Sequence, residues 1–193
     1  MRIIDIIRKP LFSLVLCVVC ASTGAAQETT EQIMERLENA VVRKETVRQR
    51  FKEVRTAVNG ARTELEGMLT YTPESYLLMD YTDGNVFLID GDRMEMGKSS
   101  KPTVFDLTKN IMMRGLSHAL LYSFQGRGLK LSQEQKTTIE AVREAGRYVV
   151  TLKAVKQAAR GYKRIVVFYD AATCAIESMI MEEFNGASTC YSL

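Results

Sequence analysis

Histidine is almost missing from this chain. His118 is the only one in 193 residues, and tryptophan does not occur. A general base needs an orienting partner, so a lone histidine beside Ser117 in an apolar stretch reads as structural. No G-x-S-x-G elbow, H-E-x-x-H pair or phosphate-binding glycine loop is present, and Gly126-Arg127-Gly128 is an isolated Gly-x-Gly. The acidic pairs Asp90 with Asp92 and Glu182 with Glu183 do not form a persuasive catalytic dyad, because the first sits where a hairpin turn is expected. The expectation is therefore no enzyme, no catalytic residue and no cofactor.

Cysteine is scarce as well: Cys17, Cys20, Cys174 and Cys190. One histidine and so few thiols make a poor metal site, so no metal is expected. The first two cysteines fall in an N-terminal segment with the marks of a secretory signal. Arg2, Arg8 and Lys9 make a positive start, Leu11 to Ala21 is apolar except for Ser13, and Gly24 and Ala26 offer a small-residue cleavage site. The apolar run is shorter than the roughly 20 residues a permanent span needs. Neither Cys17 after Leu16 nor Cys20 after Val19 fits lipid attachment. Residues 1–26 are thus expected to be a signal peptide cleaved near Ala26, and residues 27–193 a single domain. In an oxidising compartment Cys174 and Cys190 form a candidate disulfide, or both stay reduced.

Strong charge is also lacking. The 167 residues after the signal carry 23 basic and 22 acidic side chains, a net of +1. That excludes the large positive footprint of a nucleic-acid binder, and a monomer is expected. What remains abundant is methionine. Met34, Met68, Met79, Met94, Met96, Met112, Met113, Met179 and Met181 follow the signal. Unbranched and polarisable, they fill ordinary core gaps, or line a surface that adapts to variable apolar partners.

Periodicity supplies the architecture. Ile33, Met34, Leu37, Ala40 and Val41 mark one face of a helix over Glu31–Val42, with Thr29 or Thr30 as its cap. Beyond it Val47, Phe51, Val54 and Val58 fit a continuing helix, while Val47, Gln49, Phe51 and Glu53 fit a strand face. Asn59-Gly60, Asp83-Gly84, Asp90-Gly91 and Asn185-Gly186 are hairpin-turn dipeptides. Among them lie strand candidates Glu64–Tyr71, Tyr76–Tyr81, Val86–Ile89 and Arg93–Met96. A second set comprises Thr137–Val142, Tyr148–Ala154, Ile165–Tyr169 and Ile176–Phe184. Between the sets, Ile111, Met112, Leu116, Ala119, Leu120 and Phe124 space an apolar helix stopped by Gly126 and Gly128. The fold class is mostly β (α+β): a half-open, strongly curved antiparallel β-barrel of about eight strands, with an N-terminal helix and a central lid helix on its concave face.

The order of segments resembles a known family. Val47-Arg48-Gln49-Arg50-Phe51-Lys52-Glu53-Val54-Arg55 is followed by Gly67-Met68-Leu69-Thr70-Tyr71-Thr72-Pro73, which leads into Tyr76–Tyr81. Val86-Phe87-Leu88-Ile89-Asp90-Gly91-Asp92 comes next, then Phe105-Asp106-Leu107 and the apolar helix. This layout, through Ile165–Tyr169 and Ile176–Phe184, is similar to the periplasmic outer-membrane lipoprotein carriers, the LolA family, in its Bacteroides-type members. The resemblance covers Ile33 to Ser192 and implies a strand at Thr46–Arg55. It implies a Gram-negative periplasmic chaperone that takes lipoprotein acyl chains into its half-barrel and carries them from the inner to the outer membrane. The implied partners are an inner-membrane release complex and an outer-membrane receptor. The family's arginine before the strand-ending proline, which helps hold the lid, is Thr72 here, and its tryptophan after the proline is Leu78. The expected lipid-binding cavity comprises Phe51, Met68, Tyr76, Leu78, Phe87, Ile89, Leu116, Leu120 and Phe124. The alternatives are a carrier of another lipid or glycolipid, and a periplasmic interaction module with a filled interior.

Overall fold

A computed structural model describes residues 28–42, 46–73, 75–156 and 161–193. The expected signal peptide, residues 1–26, lies outside the described residues.

The first described element is α1 (Thr30–Val42). Thr29 and Gln32 cap it reciprocally. The Thr29 hydroxyl accepts from the Gln32 amide at 3.3 Å, and the Gln32 side-chain oxygen accepts from the Thr29 amide at 2.9 Å. Ile33, Met34, Leu37 and Val41 are buried, as the helical spacing requires. The chain then enters β1 (Val47–Thr56), β2 (Arg62–Tyr71), β3 (Tyr76–Tyr81), β4 (Asn85–Asp90), β5 (Arg93–Lys98) and β6 (Thr103–Asp106). Two helices follow, α2 (Ile111–Phe124) and α3 (Gly128–Gln135). The chain ends in β7 (Thr137–Glu144), β8 (Arg147–Ala154), β9 (Tyr162–Asp170), β10 (Ile176–Glu183) and β11 (Ser188–Ser192).

The eleven strands of the described residues form one antiparallel sheet in the order β6-β5-β4-β3-β2-β1-β11-β10-β9-β8-β7. The sheet is curved and does not close, and the helices occupy its concave side. The expected half-open barrel is therefore the observed architecture. Each strand half folds as a meander, and β11 joins them by pairing with β1, Tyr191 opposite Glu53. The four Asn-Gly and Asp-Gly dipeptides all fall between consecutive paired strands, each glycine at positive φ.

Three elements depart from the sequence reading. Thr103–Asp106 and Ser188–Ser192 are strands, because each completes hydrogen bonds of a neighbour rather than following an apolar pattern of its own. Gly128 opens α3 instead of ending the central helix. Gly126 does end α2, with φ +68°, and a Cβ there would meet the Leu37 backbone at 3.0 Å. It lets α2 turn closely against α1.

Cys174 and Cys190 do not pair with each other. Cys190 lies opposite Ile180 on β10, on the sheet's outer face, whereas Cys174 sits in the turn before Ile176. Four strand residues separate those levels by about 13 Å, beyond the roughly 7 Å limit for bridging two Cα atoms.

The edge at β7 is partly closed by α1. The Thr30 hydroxyl accepts from the Ala141 amide at 3.1 Å and faces the Ala141 carbonyl at 3.5 Å. A strand edge with its backbone groups so engaged is a poorer template for another chain.

Candidate ligand cavity

The cavity begins with strand alternation. On β1 the inward side chains are Gln49, Phe51, Glu53 and Arg55. On β3 they are Leu77, Met79 and Tyr81, and on β4 Phe87 and Ile89. α2 lies across this face. Its C-terminal half is pinned: Phe124 is 0% exposed and packs on the rings of Tyr71 and Tyr191. The Tyr169 hydroxyl donates to the Ser123 carbonyl at 2.5 Å. The Gln125 side-chain amide, buried at 1% exposure, donates to the Thr72 carbonyl at 2.8 Å. The N-terminal half is loose by comparison. Asn110 caps it through the Met113 amide at 3.1 Å, but Ile111 is 75% exposed.

Between α2 and the sheet lies a cavity of about 400 Å³. Met79, Phe87, Met96, Leu116 and Leu120 make one wall; Arg55, Tyr81, Tyr162, Glu183 and Tyr191 make the other. A second hollow of about 350 Å³ lies under the free end of α2, lined by Ile111, Met112 and Met113, and shares Leu116, Tyr162 and Glu183 with the first. The volumes are in the range of small-molecule sites.

The polar wall is organised by Glu53, which is 0% exposed. One carboxylate oxygen accepts from the Arg55 guanidinium, and the other accepts from the Tyr81 hydroxyl at 2.5 Å. Burial and then the Glu53 charge push the Tyr81 phenol far up. For Arg55, burial acts downward, but the hydrogen bond and charge of Glu53 outweigh it and hold the guanidinium's pKa up. Tyr162 and Tyr191 are pushed up chiefly by burial, with nearby carboxylates adding to it. Both their hydroxyls are without a hydrogen-bond partner among the described residues.

These phenols make a prediction for alkaline solution. Burial raises Tyr71 to about 12, and Tyr81, Tyr162, Tyr169 and Tyr191 also rise. The fold holds their protons more tightly than the unfolded chain does, so the stability they contribute is intact below about pH 10. It is lost as pH climbs through the folded-state values. Tyrosinate absorbance should therefore develop in two stages, with these five of the eight tyrosines, and Tyr148, which burial and its hydrogen bond to Glu28 also raise, appearing only together with loss of circular dichroism above about pH 10. Ionisation of all eight in one early step, with the fold intact, would contradict this.

The sequence-predicted positions separate into three groups. Phe87, Leu116 and Leu120 line the cavity. Phe51, Ile89 and Phe124 lie on the same inward side but deeper, in the core. Met68, Tyr76 and Leu78 are on the opposite face: Leu78 pairs with Leu88 and Met68 with Asp80, while the adjacent Leu69 and Leu77 are the buried residues. Apolar residues run consecutively through Leu77-Leu78-Met79, so alternation does not declare the inward face, and a one-residue slip inverts it. Of the methionines, Met79 and Met96 line the first cavity and Met112 and Met113 the second, while Met34, Met94, Met179 and Met181 are buried core. His118 contacts Glu134 of α3 at 2.6 Å, and Tyr122 donates to the same carboxylate at 3.3 Å. That clamp joins α2 to α3 away from the cavity lining.

No protein-family model matches the chain, and no curated protein matches it in sequence. Solved structures align with it in fold over most of its length. A LolA superfamily protein from Nitrosomonas europaea aligns over 86% of this chain and 91% of its own, at 10% identity and a TM-score of 0.41. A DUF1329 family protein from Desulfovibrio piger aligns over 83% and 88%, at 11% identity and 0.44. The Mycobacterium tuberculosis lipoprotein LppX aligns over 82% and 90%, at 10% identity and 0.36. The likeness is one of layout, and no residue's role is taken from it. The hydrogen bond from Gln125 to the Thr72 carbonyl ties the end of α2 to the chain just after β2.

Proposed function

We propose that this protein is a periplasmic carrier that holds acyl chains between α2 and the curved sheet, with lipoprotein acyl chains as its cargo on the way from the inner to the outer membrane. The observation that supports this reading is the cavity of about 400 Å³ with Met79, Phe87, Met96, Leu116 and Leu120 on one wall. An interaction module with a filled interior has no use for it. Each methylene moved out of water contributes about 0.8 kcal/mol, so a chain of ordinary length needs such shelter to cross an aqueous compartment. The two ends of α2 fit a lid: a C-terminal half fixed by Tyr169, Gln125 and Phe124, and an N-terminal half carrying exposed Ile111 and Met112. Opening from the N-terminal end would join the two hollows. An inner-membrane release complex and an outer-membrane receptor are the corresponding partners.

The residue that tests the lid is Leu116, which is half-buried and borders both hollows. Leu120 is only 3% exposed, so a charge there attacks the fold itself. Leu116→Glu should weaken acyl-chain binding at least about tenfold, since a chain laid on a carboxylate must desolvate it. Its urea midpoint should stay near that of the parent. Native mass spectrometry of protein recovered from the periplasm reads out the cargo directly. Recovery free of lipid and lipoprotein, together with unchanged acyl binding in Leu116→Glu, would refute the carrier.

A further inference from the structure

The cavity is two-sided, and its polar wall is not needed to hold a hydrocarbon. Tyr191 is 6% exposed and lines the cavity with a hydroxyl that no described residue hydrogen-bonds. Tyr162, likewise unpartnered at its hydroxyl, borders both hollows. A hydroxyl that lines a cavity without a described partner is placed to hydrogen-bond a polar ligand group in place of solvent. The charge of this wall is also defined. Arg55 is already paired with the buried Glu53. Glu183, which lines both hollows and accepts from the Asn185 amide at 2.9 Å, has no cation among its described partners. The wall therefore offers phenol hydroxyls and an excess of negative charge.

Building on the carrier reading, we propose that the cavity recognises an amphipathic ligand with an uncharged, hydroxyl- or amide-bearing head and discriminates against phosphate-headed lipids. The chain would lie along Met79, Phe87, Met96 and Leu120 while the head reaches Tyr162 and Tyr191. A phosphate in that place would face the Glu183 carboxylate in a partly water-excluded site, where like charges repel strongly. A glyceryl or amide head brings the donors and acceptors the phenols can match, without charge.

Three probes with matched chains, each delivered from cyclodextrin, test this on the intact protein by displacement of a fluorescent acyl probe: palmitoylglycerol, palmitoyl lysophosphatidic acid and hexadecane. Palmitoylglycerol should bind at least about tenfold more tightly than the phosphate lipid. Glu183→Gln should narrow that gap. Tyr191→Phe should weaken palmitoylglycerol about fivefold, one hydrogen bond's worth, and leave hexadecane unchanged. Equal or tighter binding of the phosphate lipid by the parent protein would overturn the proposal, as would an equal loss for hexadecane in Tyr191→Phe. Failure of all three probes to bind would instead overturn the carrier reading beneath it.

Discussion

Gly67→Ala should cost the protein about 3 kcal/mol and lower its urea midpoint by about 1 M or more, although it adds a single methyl group. A Cβ at this position would lie 2.2 Å from the Asp80 carbonyl oxygen and 2.8 Å from Cε1 of Phe51. The first contact is with strand backbone, which cannot rotate aside. The second breaks an arrangement that only a bare residue permits. Gly67 stands between Phe51 on β1 and Tyr81 on β3, and the two rings meet over it edge to face, with centroids 5.1 Å apart. Residues two strands apart are normally separated by about 10 Å. The rings close that distance because nothing rises between them. Tyr81 pushed aside would lose its hydrogen bond to Glu53 and deform the cavity wall. Gly115→Ala makes the comparison. Gly115 lies inside α2, where the nearest neighbour of an added Cβ is the Gln135 side-chain amide of α3 at 4.0 Å, and helix propensity there should add about 0.5–1 kcal/mol. Urea denaturation of both variants checks the pair, and a Gly67→Ala protein as stable as its parent would refute the packing argument.

Removing the counter-ion of Glu53 should be nearly as damaging. Arg55→Met leaves a carboxylate that is 0% exposed with Tyr81 as its remaining hydrogen-bond donor. Breaking a buried pair from one side costs about 3–5 kcal/mol. The Arg55 side chain is itself 56% exposed, so solvent screens part of the pair, and the expected loss is about 3 kcal/mol at most. The second variant carries the logic. Changing Glu53→Leu together with Arg55→Met removes the stranded charge and should recover most of that stability. Denaturation midpoints of the single and double variants decide the matter. If the double variant is as unstable as the single one, charge burial is not what the pair relieves.

Much of the fold was legible because two periodicities are plainly written. The 3.6-residue spacing of Ile33, Leu37 and Val41 and the reciprocal Thr29–Gln32 cap define α1. Turn dipeptides such as Asp83-Gly84 and Asp90-Gly91 set the β3–β4–β5 meander nearly to the residue, since the positive φ they allow is what a tight hairpin needs. β6 and β11 were not legible. Ser188–Ser192 is short and polar, and it becomes a strand by filling the gap between β1 and β10. The cavity was legible in part. Leu116 and Leu120 follow from the spacing of α2 and Phe87 from its strand. Glu53 sits on the face of β1 that also carries Phe51, a hint that a carboxylate was going inside, but nothing local reveals that it is fully buried.

What the sequence determined by itself is local: which stretches are helix or strand, where the chain turns, and that helices with apolar faces must cover a large antiparallel sheet. Those properties depend on neighbours within a few residues, and side-chain spacing and backbone φ preferences express them directly. Only the tertiary structure decided which face of β2 and β3 points inward, how β11 joins the two halves, and how Glu53, Arg55, Tyr81, Tyr162, Glu183 and Tyr191 share one wall. Such a wall is assembled from strands far apart in the chain. Its register rests on pairings in which a single-residue slip exchanges core for solvent, and that choice is made by the whole sheet closing over its helices.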